Sequence, residues 1–81
     1  MRNSLNHALV LRIEQLLEER GTTRYRLAMN SGITHSTLNN IFREAIADSM
    51  LSTVILIAGG FDMTVSEFLN SPLFGEDDLE L

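Results

Sequence analysis

TRYRLAMNSGITHSTLNNIFR, Thr23 to Arg43, reads as two short helices joined by a tight turn at Ser31-Gly32-Ile33. Thr23 and Thr34 each stand just before a helical run, where a Thr oxygen can accept from the unpaired N–H groups of the first turn. Leu27 and Ala28 supply the apolar side of the first helix. Ile33, Leu38 and Ile41 supply that of the second, with Leu38 and Ile41 three apart on one stripe. The opposite stripe carries His35, Ser36, Asn39, Asn40 and Arg43, polar and mostly uncharged. A helix with one buried face and one face of hydrogen-bonding side chains suits the reading of base edges in a major groove.

Working outward, Ser4 is placed to cap a preceding helix that runs to about Arg20, where Gly21 ends it. Leu5, Leu9, Ile13, Leu16 and Leu17 recur at helical spacing as its buried stripe, with Arg12, Glu14, Glu18 and Glu19 toward water. His7 reads as solvent-facing, 28 residues from the other histidine, His35. Beyond Arg43 the helical reading continues to Glu44, and a connection through Asp48 leads to a fourth helix at about Ser49–Gly59, capped by Asp48 or Ser49. Met50, Leu51, Val54, Ile55, Leu56, Ile57 and Ala58 give it more apolar surface than one face can bury. Gly59-Gly60 relax it. Thr64 and Glu67 then have the spacing of a capping box for a short fifth helix to about Asn70, and Pro72 stops it. Phe68 and Leu69 close the core. No strand signal appears, so the expected fold is an all-α bundle of five helices in one domain, residues 1–74, with the helix-turn-helix at about 23–44. An acidic, mobile tail follows at 75–81.

Eighty-one residues hold a single core of modest stability. The absence of cysteine rules out disulfides and thiolate metal sites. The net charge of -5 argues against nucleic acid until its distribution is seen. All six basic residues are arginines within 1–43, where only Glu14, Glu18 and Glu19 oppose them; residues 44–81 contain eight acids and no base. The paired helices therefore lie in the basic half. No nucleophile stands beside a base at a recognisable spacing and there is no phosphate-binding glycine loop, so neither an enzyme, a metal nor a cofactor is expected. Asn3, Ser4, Asn6 and His7 interrupt any leader, and the apolar run from Met50 to Gly60 is broken by Ser52 and Thr53 and too short for a bilayer. No membrane partner is expected, and the expected location is cytoplasmic.

The order of these pieces resembles the Cro/C1-type helix-turn-helix family, also called the XRE family. The residues that carry the resemblance are Arg12 to Gly21, Tyr25-Arg26-Leu27-Ala28, Ser31-Gly32-Ile33-Thr34, Ser36-Thr37-Leu38, Ile55, Ile57-Ala58 and Ser66-Glu67-Phe68-Leu69. The resemblance implies a compact five-helix bundle of the lambda-repressor-like DNA-binding type. It implies base reading by His35, Ser36, Asn39 and Asn40, and backbone contacts from Thr23, Arg24, Thr34, Thr37 and Arg43. Asn can make paired bonds to adenine, whereas arginines on phosphates set affinity and salt dependence.

Three departures stand out. Leu17 and Phe42 occupy the positions of a buried Arg–Glu pair common in the family. The loop after the third helix, Glu44-Ala45-Ile46-Ala47-Asp48, has two acids and no base where members often carry a glycine and basic residues. The chain also has no lysine. The implied function is a transcriptional regulator, a repressor on double-stranded DNA, acting as a homodimer with Met50, Leu56, Leu73 and Phe74 as contact candidates. The equal alternative for those residues is a tail folded back over the fourth helix within one chain. The alternative is a protein-interaction module of this fold, antitoxin-like or a phage regulatory partner, using its acidic C-terminal half.

Overall fold

The computed structural model describes residues 3–43 and 51–80. Helix α1 (Leu5–Arg20) begins at Ser4, whose Oγ accepts the His7 N–H at 3.1 Å, and ends at Gly21 in the left-handed region, φ 60°. Helices α2 (Arg24–Ser31) and α3 (His35–Phe42) follow across the turn at Gly32. Helix α4 spans Leu51–Gly60 and α5 spans Val65–Leu69. The Thr64–Glu67 capping box is formed: Thr64 Oγ1 accepts the Glu67 N–H at 3.1 Å, and Glu67 Oε1 accepts the Thr64 N–H at 3.0 Å. The Thr64 N–H, and the Thr64 hydroxyl that also donates to Glu67 Oε1 at 3.1 Å, hold the Glu67 carboxyl below the usual range for glutamate, the backbone bond contributing most.

All five helices feed one core. Phe68, Ile13, Leu27, Leu38, Ile41 and Ile57 are its largest fully buried side chains. Each is worth about 1.5–3 kcal/mol of burial, a large share of the net stability of so small a domain. Leu5 and Leu17, expected in the buried stripe of α1, are half-buried; Ala8 and Val10 take places in the core instead. Among polar residues Asn6 is buried, and its Nδ2 donates to the Ile41 carbonyl at 3.1 Å. One amide thus ties the first turn of α1 to the end of α3.

Several expectations are corrected. His7 is half-buried at the start of α1. Arg12 does not point to water: its Nε donates to the Phe68 carbonyl at 2.7 Å and its Nη2 to that of Glu67 at 3.2 Å. A guanidinium there meets the carbonyl end of α5, adding donors to the Phe68 carbonyl and to that of Glu67, which also accepts the Asn70 N–H at 3.2 Å. Gly60 belongs to α4 and serves close packing. A Cβ on it would overlap Ser31 Oγ and lie 3.0 Å from Leu27 Cδ1 and 3.2 Å from the Leu27 carbonyl, so α4 passes directly over α2. Strand structure exists on a small scale, since β1 (Asn3–Ser4) pairs in parallel with β2 (Leu79–Glu80). Residues 72–78, in two single 3₁₀ turns at Pro72–Phe74 and Glu76–Asp78, bring the C-terminal segment to that pairing. The expected extension of α3 to Glu44, the 44–48 connection and the cap of α4 lie outside the described residues, as does Met50.

Candidate nucleic-acid interface

Three local devices hold the helix pair. Thr23 Oγ1 accepts the Arg26 N–H at 3.2 Å and so caps α2. Gly32 carries the chain out of α2 with φ 74°, a conformation that a side chain resists even though the space around it is open. Thr34 Oγ1 accepts the Thr37 N–H at 3.0 Å while its hydroxyl donates to Thr37 Oγ1 at 2.9 Å. Among the described residues the Thr23 and Thr37 hydroxyl oxygens act only as acceptors.

With Leu38 and Ile41 sunk in the core, α3 turns His35, Ser36, Asn39 and Arg43 to the surface, and Asn40 is half-buried. Ser36, Asn39, Asn40 and Arg43 meet Arg24 of α2 around one shallow polar groove of about 300 Å³. Within it Arg43 Nη2 donates to Asn40 Oδ1 at 3.3 Å. That bond steadies a side chain which must be aimed to distinguish a base. Five of the expected DNA-contacting residues are therefore brought together. Thr23, Thr34, Thr37 and His35 lie outside that groove. His35 rests against Tyr25, ring centroids 4.9 Å apart, at the junction of α2 and α3.

Sequence reasoning missed Tyr25 as part of this surface. It is 60% exposed and, with Thr23, Arg26, Met29 and Asn30, borders a second hollow beside the first. Its position between Arg24 and Arg26 is the signal that was there to be read, since aromatics interleaved with arginines suit nucleic acid. Arg24 also has more to its surroundings than charge. Its guanidinium carbon lies 3.6 Å from the centre of the Phe42 ring, and Nη2 is 3.9 Å from Glu14 Oε1.

The basic half divides by task. Arg12 is engaged as described, and Arg20 Nη1 donates to the Phe61 carbonyl at 2.6 Å just past α4. Arg24, Arg26 and Arg43 are the arginines exposed on the α2–α3 side among the described residues. Among those residues no group of His, Asp and Glu side chains is arranged to hold a metal ion, and no helix is long and apolar enough to cross a membrane.

A family model described as Helix-turn-helix matches residues 13–68, more than half of the chain. The chain belongs to the Cro/C1-type helix-turn-helix (XRE) family. This is a family of DNA-binding transcription regulators. No curated protein matches the chain in sequence. Among solved structures, that of prophage Lp1 protein 11 is similar, with a TM-score of 0.80 and 21% identity over 94% of this chain and 99% of the other. At that identity the likeness shows the shared fold.

Leu17 and Phe42, where the resemblance implies an ion pair, are both half-buried against the core. Of the expected dimer residues, Leu56 is 47% exposed on α4, Leu73 is half-buried, and Phe74 is turned inward, its ring 6.3 Å from that of Phe68. More prominent are Leu51 and Ile55, one turn apart on α4 at 63% and 48% exposure, and Leu69 at 38%. Leu51 and Leu69 edge an apolar hollow of about 210 Å³ that is lined also by Leu5, Leu9 and Phe74.

Proposed function

We propose that the protein is a sequence-specific repressor that places α3 in the major groove of double-stranded DNA. The observation that carries this reading is the convergence of Arg24, Ser36, Asn39, Asn40 and Arg43 on one polar groove. The asparagine amides that line it have the donor and acceptor pair that matches adenine, and Ser36 can take either role. Arginines at its rim meet phosphates, with Thr23, Thr34 and Thr37 as hydroxyl partners to the backbone and His35 at the leading end of α3. One such helix reads only a few base pairs. A homodimer, with half-sites about one helical turn apart, extends the site, and the apolar surface at Leu51, Ile55, Leu56 and Leu69 supports that assembly. Repression needs only occupancy of the site, here in the cytoplasm.

The test is a comparison of two substitutions across a panel of duplexes. Asn40→Ala relaxes preference at one base position, with a loss of about 1–3 kcal/mol on the favoured sequence alone. Arg24→Ala weakens every sequence alike and lowers the salt slope by about one. Equal losses on all sequences from both substitutions overturn the assignment of Asn40 to base reading.

A further inference from the structure

Arg24 is held by three helices at once. It starts α2, its guanidinium lies over the ring of Phe42 of α3 at 3.6 Å, and its Nη2 is 3.9 Å from Glu14 Oε1 of α1. At 3.9 Å the carboxylate is beyond hydrogen-bond reach, so the pair is ionic only. Both side chains are half exposed, and the guanidinium N–H groups make no hydrogen bond among the described residues. An exposed pair of this kind is weak and easily exchanged. A phosphodiester oxygen offers the same charge together with the short, charge-assisted bonds that Glu14 does not make. Phe42, half-buried against the core, fixes the plane of the guanidinium, so little freedom is left to lose when those bonds form.

We propose that Glu14 is a resident counter-anion for Arg24, displaced by a DNA phosphate, and that Phe42 is the platform which keeps Arg24 at the rim of the reading groove. This rests on the DNA-reading function proposed above. Glu14 then tunes affinity without touching DNA, and Phe42 is a positioning residue that acts through Arg24.

The experiment measures binding of one favoured duplex and one unrelated duplex over a range of salt. The proteins are the wild type, Glu14→Gln, Arg24→Ala, the double variant, Phe42→Leu and Phe42→Tyr. Glu14→Gln tightens binding to both duplexes about two- to fivefold, the fold-change matching an exposed pair. That gain vanishes in the Arg24→Ala background. Phe42→Leu weakens binding while the salt slope keeps its wild-type value, because the charge remains, and Phe42→Tyr restores it. In the unbound protein the Arg24 Hδ resonances carry an upfield ring-current shift that Phe42→Leu abolishes and Phe42→Tyr retains. A gain from Glu14→Gln that persists without Arg24 means general repulsion and overturns the counter-anion. Wild-type affinity in a folded Phe42→Leu variant overturns the platform. Failure of the wild type to bind any duplex overturns the function itself, and it is recognised because it appears before any variant is compared.

Discussion

Gly59 and Gly60 are adjacent in α4, and substitution by alanine is expected to move stability in opposite directions. Open space surrounds the position of a Cβ on Gly59. Gly59→Ala therefore gains helix propensity and loses nothing, a stabilisation of up to ~1 kcal/mol. At Gly60 the added carbon overlaps Ser31 Oγ and presses on Leu27 Cδ1 at 3.0 Å and the Leu27 carbonyl at 3.2 Å. Overpacking of that kind costs about 1–3 kcal/mol. The helix gain offsets at most ~1 kcal/mol, which leaves Gly60→Ala destabilised by up to about 3 kcal/mol and less stable than Gly59→Ala by about 1–3 kcal/mol. For a domain of this length each kcal/mol lowers the melting temperature by roughly 4–8 °C. Ser31 Oγ is buried without a hydrogen-bond partner among the described residues. Ser31→Ala alone is thus neutral or mildly stabilising, and combined with Gly60→Ala it recovers part of the loss. The Leu27 carbonyl keeps the recovery incomplete. Thermal and urea unfolding of the four variants, read as a double-mutant cycle, measures the coupling. A Gly60→Ala protein as stable as Gly59→Ala, or strict additivity with Ser31→Ala, refutes the close passage of α4 over α2.

Two further outcomes concern other joints of the fold. Asn6→Ala leaves the buried Ile41 carbonyl without its 3.1 Å donor and costs about 1–3 kcal/mol by chemical denaturation; a loss no larger than that of an exposed helix position contradicts the tie between α1 and α3. Glu67 is held below the ordinary carboxyl range by its bonds to Thr64. Its folded form therefore binds a proton less readily than its unfolded form. The capping contribution is complete above the unfolded value of about 4.3 and is lost as pH falls through the lower folded value. Denaturation from pH 7 to pH 3 shows this decline in the wild type, and Glu67→Gln removes that part of it.

The bundle was legible because its signals are local and agree with one another. Ser4, Thr23, Thr34 and Thr64 all cap the helices they precede, and Gly21 and Gly32 both adopt positive φ where helices end. The polar face of α3 followed from Leu38 and Ile41 alone, since burying one stripe exposes the other. What stayed hidden depends on tertiary approach. Gly60 looks like a helix breaker until Ser31 is seen beneath it, and Arg12 looks like a surface charge until α5 brings its carbonyls alongside. The stacking of Arg24 on Phe42 joins residues 18 apart, with no periodicity to announce it. The β1–β2 pair is two residues long at each end of the chain, too short for any alternation to show. Phe74 was left between a dimer contact and docking within one chain because sequence does not say which way a 3₁₀ turn faces its ring.

The reading of DNA sequence by α3 is tested most directly by selection from random duplexes at low and at moderate salt. The expected result is one enriched sequence with two-fold related halves about one helical turn apart, bound more weakly at moderate salt through the few arginines at the groove. No enriched sequence at either salt contradicts base reading by α3, and points instead to a protein partner for the acidic half.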